Sequence, residues 1–229
     1  SGKYQGIYGD SWMKTCLLIT GGRLDITFAG DYCRKHSFDK LIAVDSGLKA
    51  VKELGLVPDM VVGDFDSVDP VILEEFKRIP YIIWDVHDPE KNETDTELAL
   101  RKAAASGCTR VVILGATGGR FDHMLANVFL LYTCLQRGMD ACIVDRQNKI
   151  YLIEEEHHFT KKEQWGKYIS FLPLLGMIKG ICLEGFSYPL TDYDLDVGSS
   201  RCISNELNVE EGTIRFREGI AICVESKDV

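Results

Sequence analysis

The chain has 229 residues, 45% of them apolar and 27% charged, enough to bury one large core or two modest ones. Its formal net charge of −9 argues against a nucleic-acid partner, because a phosphate backbone needs a basic face. No apolar run approaches the roughly 20 residues of a membrane span, and no secretory leader pattern is evident, so a cytoplasmic protein without membrane contact is expected.

Residues 16–19 form a short apolar run that ends in Thr20-Gly21-Gly22. The run 41–44 ends in Asp45-Ser46-Gly47. Leu48, Val51 and Leu54 then recur at helical spacing, and Gly55 stops that helix. Met60-Val61-Val62 leads into Gly63-Asp64-Phe65-Asp66-Ser67, and residues 71–76 read as a short helix after Pro70. Residues 81–84 are the next strand. Thr94 is an N-cap with Glu97 three residues on, the capping-box spacing, and Gly107 ends that helix. The strand 110–114 runs into Gly115-Ala116-Thr117-Gly118-Gly119. Met124, Leu125, Val128, Leu131 and Leu135 mark a long helix over 120–137, and 141–144 is strand again.

Near-continuous apolar strands separated by helices predict an α/β domain over residues 1–148. It has three layers, a mostly parallel sheet with helices on both faces. From residue 149 the pattern changes to short strands at 151–153, 168–172, 178–186, 213–217 and 220–224. No helical stretch follows, so residues 149–229 read as an all-β sandwich or small barrel. No internal repeat is evident. The eight cysteines are dispersed, with no CxxC pair, and are expected to be free core thiols.

The unusual residues fall at the carboxyl ends of the predicted strands, where open parallel sheets bind ligands. Asp45 follows one strand, and Asp64 with Asp66 another. Asp95 opens the helix after the 81–84 strand. Acids on separate loops suit Mg²⁺, which takes few carboxylates and bridges to phosphate oxygens. Each taken alone also suits a turn or helix cap. In Thr117-Gly118-Gly119-Arg120 the glycines let backbone N–H groups approach phosphate before a helix start, and Arg120 adds a fork. Asp122 is a metal ligand or orients Arg120. His123 is a base or, more simply, a helix-surface side chain. Lys91 is within reach of a phosphate or merely solvated.

Together these segments resemble thiamine pyrophosphokinases of the bacterial type. The resemblance rests on Val44-Asp45-Ser46-Gly47, Gly63-Asp64-Phe65-Asp66-Ser67, Lys91 with Glu93-Thr94-Asp95-Thr96-Glu97, Thr117-Gly118-Gly119-Arg120-Phe121-Asp122-His123, and Ile203-Ser204-Asn205-Glu206. It implies an α/β domain joined to a β-sandwich, working as a homodimer with the active site at or near the interface. It implies pyrophosphoryl transfer from ATP to the thiamine hydroxyl, with Mg²⁺. Asp64, Asp66 and Asp95 would hold the metal, with Asp45 as a further catalytic acid. Lys91, Thr117, Gly118, Gly119, Arg120, Asp122 and His123 would bind ATP, and Ser204 and Asn205 thiamine. Trp165, the only late tryptophan, has no assigned role. Alternatives are a pyrophosphokinase for a pterin-type hydroxymethyl substrate, a metal-dependent nucleotide hydrolase, and a non-catalytic nucleotide or thiamine sensor.

Overall fold

The computed structural model describes residues 13–86 and 93–228, so Lys91 lies outside the described residues. The chain divides into two compact units, Ser1–Ala141 and Cys142–Val229.

In the first unit strands and helices alternate. They are β1 (Thr15–Ile19), α1 (Ile26–Lys35), β2 (Lys40–Val44), α2 (Gly47–Glu53), β3 (Met60–Gly63), α3 (Pro70–Lys77), β4 (Ile83–Val86), α4 (Asp95–Ala105), β5 (Arg110–Leu114) and α5 (Phe121–Gln136). The strands order as β4-β3-β2-β1-β5 and pair in parallel. Leu17, Leu18, Ile19, Ile42, Ala43, Val61, Val62, Ile113 and Leu114 are all buried. Successive residues of a strand point to opposite faces, so unbroken burial means that both faces are covered.

One local reading shifts. The strand expected at 81–84 is β4, two residues later, because Ile82 N–H closes a turn onto Ile79 O at 3.4 Å. Ile82 plugs the core while Ile83 and Val86 sit on an exposed edge strand. Helix α1, for which the sequence reading gave no element, turns Ala29 into the core. It forms because Asp25 caps it, accepting from Phe28 N at 3.0 Å. Tyr32 then stacks on His36, ring centroids 4.0 Å apart.

The second unit takes up the last three residues of β6 (Asp140–Val144), which pair antiparallel with β7 (Asn148–Ile153). Asp145 shapes that turn by accepting the N–H groups of Gln147 at 2.8 Å and Asn148 at 2.6 Å. The remaining strands are β8 (Glu156–Thr160), β9 (Tyr168–Pro173), β10 (Ile178–Glu184), β11 (Leu190–Leu195), β12 (Glu211–Arg215) and β13 (Ala221–Ser226). β7-β13-β9 and β11-β10-β12-β8 are antiparallel. They close over one core in which Phe159, Phe171 and Phe186 meet edge to face, centroids 5.7–6.0 Å apart. Strands β8 and β11 carry the polar sequences EHHFT and LTDYDL and read as loops. They are the two edges of the second sheet, where polar side chains face water.

All eight cysteines are free thiols. No helix among the described residues is long and apolar enough to cross a membrane.

Candidate active site

Beyond the carboxyl ends of β1, β2 and β5 lies a cleft of about 670 Å³ in the first unit. Asp45, Asp95 and Asp122 are the acids in its wall. Asp45 follows β2 in the left-handed region, φ 48°, held by its own N–H on Val62 O at 2.9 Å. Its Oδ1 is buried without a hydrogen-bond partner. Burial first, then a hydrogen bond with Asp95, then the charges of Asp95 and Asp64 push the Asp45 carboxyl up to about 7. Three carboxylates from three segments therefore interact.

Gly63 makes that contact fit. A Cβ there would sit 1.8 Å from Asp45 Oδ1, and its φ of 146° is open to glycine. The next residues turn sharply around Phe65, φ 64°, whose ring is buried edge-on to Trp84 at 5.4 Å. Asp66 donates its N–H to Asp64 Oδ1 at 3.1 Å. Asp64 reaches the group through Asp45; Asp66 is exposed, and neither forms the cleft wall. Asp95 is the first residue of α4, whose N-cap Thr94 accepts from Glu97 N at 3.2 Å, as the spacing predicted.

Among the described residues no three His, Cys, Asp or Glu side chains are gathered tightly enough to form a metal-binding group. The chemistry nonetheless fits Mg²⁺. The donors are hard oxygens, one is an orphaned buried carboxylate atom, and mutual repulsion raises the affinity for protons or cations alike.

Two glycine turns also line the cleft. Gly118, Gly119 and Arg120 line it before α5, with Thr117 outside the lining, and Thr20-Gly21-Gly22-Arg23 lines it after β1. Arg120 is gripped by Asp122 through Nε–Oδ1 at 3.1 Å and Nη2–Oδ2 at 2.5 Å. That pairing holds the Asp122 carboxyl below its ordinary range. Asp122 also accepts His123 N–H at 2.9 Å, and the exposed His123 lines the cleft.

Sequence reasoning missed Thr20–Arg23, Thr96 and Asn127. Thr96 is buried, its Oγ1 3.2 Å from Thr20 Oγ1, which ties α4 to the end of β1. Asn127 Nδ2 donates to Ala116 O at 3.0 Å and ties α5 to the second turn. A signal for the first turn existed: Thr-Gly-Gly-Arg-x-Asp occurs at 20–25 and again at 117–122, an internal recurrence where none was expected.

Ser204 and Asn205 lie in the second unit. Ser204 is exposed, φ 56°, its N–H on Ser170 Oγ at 2.9 Å. Asn205 is buried. Its Oδ1 accepts from Tyr188 N at 3.0 Å and Glu206 N at 2.9 Å, and its Nδ2 donates to Tyr188 O at 2.9 Å. The Asn205 amide thus braces the loop that presents Ser204. Trp165 N–H donates to Glu225 Oε1 at 3.1 Å, and the Lys227 ammonium stands 5.5 Å from the Trp165 ring centre.

A parallel sheet whose carboxyl rim carries interacting acids and glycine–arginine turns defines a phosphate-handling α/β protein of the kinase type. Residues 34–143 match the family description "Thiamin pyrophosphokinase, catalytic domain" and residues 156–221 "Thiamin pyrophosphokinase, vitamin B1 binding domain". A thiamine pyrophosphokinase of Bacillus subtilis is 35% identical over 94% of this chain and 100% of its own length. The crystal structure of the Bacillus subtilis thiamine pyrophosphokinase has a TM-score of 0.85 at 33% identity, covering 94% of this chain and 100% of that one. That of Geobacillus thermodenitrificans has 0.80 at 31%, covering 93% and 98%. The yeast thiamin pyrophosphokinase, at 16% identity and TM-score 0.79, covering 95% and 88%, shares the fold. The chain belongs to the thiamine pyrophosphokinase family.

Proposed function

We propose that the protein transfers the pyrophosphoryl group of ATP to the hydroxyl of thiamine, giving thiamine diphosphate and AMP. The observation that carries this reading, beside family membership, is that Asp45 and Asp95, with Asp64 acting on Asp45, share a cleft with two glycine turns.

The thiamine oxygen attacks the β-phosphorus in line, and the bond from that phosphorus to the α–β bridging oxygen breaks. The reaction needs positioning and charge neutralisation more than covalent chemistry. The backbone N–H groups of Thr117, Gly118 and Gly119 cradle the phosphates. Arg120 binds them with its fork, pre-set by Asp122. Lys91 and His123 complete the ATP site. Asp64, Asp66 and Asp95 would hold Mg²⁺, with Asp45 as a further acid. The ion, when bound, neutralises phosphate charge and orients the chain of phosphates. The hydroxyl proton passes to Asp66 or Asp95. Ser204, braced by Asn205, contacts thiamine, and the working unit is a cytoplasmic homodimer.

The test is incubation with ATP, Mg²⁺ and thiamine while AMP is followed. AMP formed only when thiamine is present supports the reading. AMP or phosphate formed without it, or turnover of a hydroxymethylpterin instead, refutes it, as does no turnover. Removing divalent ions with EDTA should abolish activity, and Mg²⁺ should restore it.

A further inference from the structure

The first glycine turn is not needed to explain the second, yet the two are built alike. Thr20-Gly21-Gly22-Arg23-Leu24-Asp25 leaves β1, and Thr117-Gly118-Gly119-Arg120-Phe121-Asp122 leaves β5, the strand paired beside it in parallel. Each leads into a helix.

The turns approach each other closely at their glycines. A Cβ on Gly22 would meet Gly115 O at 2.1 Å, and one on Gly118 would meet Arg23 Cβ at 3.0 Å, with Gly118 at φ 76°. The stem of Arg23 therefore leaves the backbone directly against the second turn, in the wall of the same cleft.

The two arginines differ in one respect. Arg120 is engaged by Asp122 in a two-bond fork, whereas Asp25 is spent capping α1. Arg23 is exposed and has no ion-pair partner among the described residues. A guanidinium kept free of carboxylates, in a cleft that already holds Asp45, Asp95 and Asp122, is available to an anionic ligand.

We propose that Arg23 is a second guanidinium ligand of the donor nucleotide, binding the β,γ-diphosphate that is transferred. Arg120 is delivered by its carboxylate, and Arg23 is supplied unengaged, so the diphosphate is held from both turns. The proposal rests on the reading of ATP as donor.

The experiment is calorimetric titration of wild type and Arg23→Ala with ATP, AMP and inorganic tripolyphosphate, alongside thermal melting. Alanine keeps the Cβ that packs on Gly118, so the melting temperature should not move. Loss of a charge-assisted fork should weaken ATP and tripolyphosphate by about 10- to 100-fold. AMP, which lacks the β,γ-diphosphate, should bind unchanged. Wild type that binds ATP while Arg23→Ala binds it equally well overturns the proposal and leaves the kinase reading intact. An equal loss for AMP and ATP also overturns it, since Arg23 would then act on the nucleoside monophosphate or the fold. Wild type that binds no ATP overturns both. Should Arg23→Ala melt lower, Arg23→Gln, which keeps more of the stem, carries the test with the same expected split.

Discussion

Replacing Asp45 with asparagine probes the carboxylate cluster at its most burdened member. Asparagine keeps the shape, tolerates φ 48°, and retains an oxygen for the Asp64 N–H that the carboxylate accepts. What it removes is charge. The Asp45 carboxyl is pushed from 3.8 to about 7, first by burial, then by Asp95 and Asp64. A carboxyl raised on folding binds protons more tightly in the native state. Its cost to stability is therefore absent below about pH 4, grows from there to about pH 7, and is complete above it. Undamped, that interval corresponds to about 4 kcal/mol. Asp45 is only partly buried, and screening by water and salt reduces this to about 1–2 kcal/mol. The assay is thermal unfolding in EDTA at pH 5 and pH 8. Asp45→Asn should melt higher than wild type at pH 8, by about 2–4 °C per kcal/mol. The gap should shrink at pH 5. Mg²⁺ should stabilise wild type more than the variant. A variant that melts lower by the same margin at both pH values would mean that Asp45 serves the turn and not the site.

Asp66→Asn should cut turnover by orders of magnitude with the melting temperature unchanged or raised; a collapse of the fold would instead mark Asp66 as structural. Gly63→Ala should abolish activity, since its Cβ would sit 1.8 Å from Asp45 Oδ1, and wild-type turnover in that variant would refute the packing. Phe171→Ala should cost about 3–5 kcal/mol by denaturant unfolding, because the ring is 1% exposed between Phe159 and Phe186. Ser204→Ala should raise the KM for thiamine and leave that for ATP unchanged; the reverse pattern would remove Ser204 from the thiamine site.

The acids were legible because a run of buried apolar residues ending in a carboxylate is a local contradiction that a site resolves. Asp45 after β2 and the Gly63–Asp66 turn after β3 both show it. Arg23 was not legible by the same logic. An arginine after two glycines contradicts nothing, and only its recurrence before Asp122 separates it from an ordinary turn. Asn205 illustrates the opposite failure. The resemblance offers it as a thiamine contact beside Ser204, but its oxygen accepts from Tyr188, 17 residues earlier, and no periodic pattern announces that bond. Strands β8 and β11 escaped because edge positions relax the apolar alternation by which strands are recognised.

Among the described residues four non-glycine positions have left-handed backbone, and three are Asp45, Phe65 and Ser204. Such conformations cost on the order of 1 kcal/mol or more each and persist only where surroundings dictate them. For Phe65 the surroundings are the Trp84 ring, and for Asp45 the bond to Val62 O. A backbone bond at Asp45 and ring packing at Phe65 therefore set the course of the chain that carries these carboxylates. This explains why Gly63 must be glycine while Asp64 can stand outside the cleft wall and still act on Asp45. It also fixes the order of events expected on loading: the acids are already turned toward one another before a cation arrives. A divalent ion bound there would relieve a repulsion that folding has built, and adding Mg²⁺ should raise stability before any nucleotide is added.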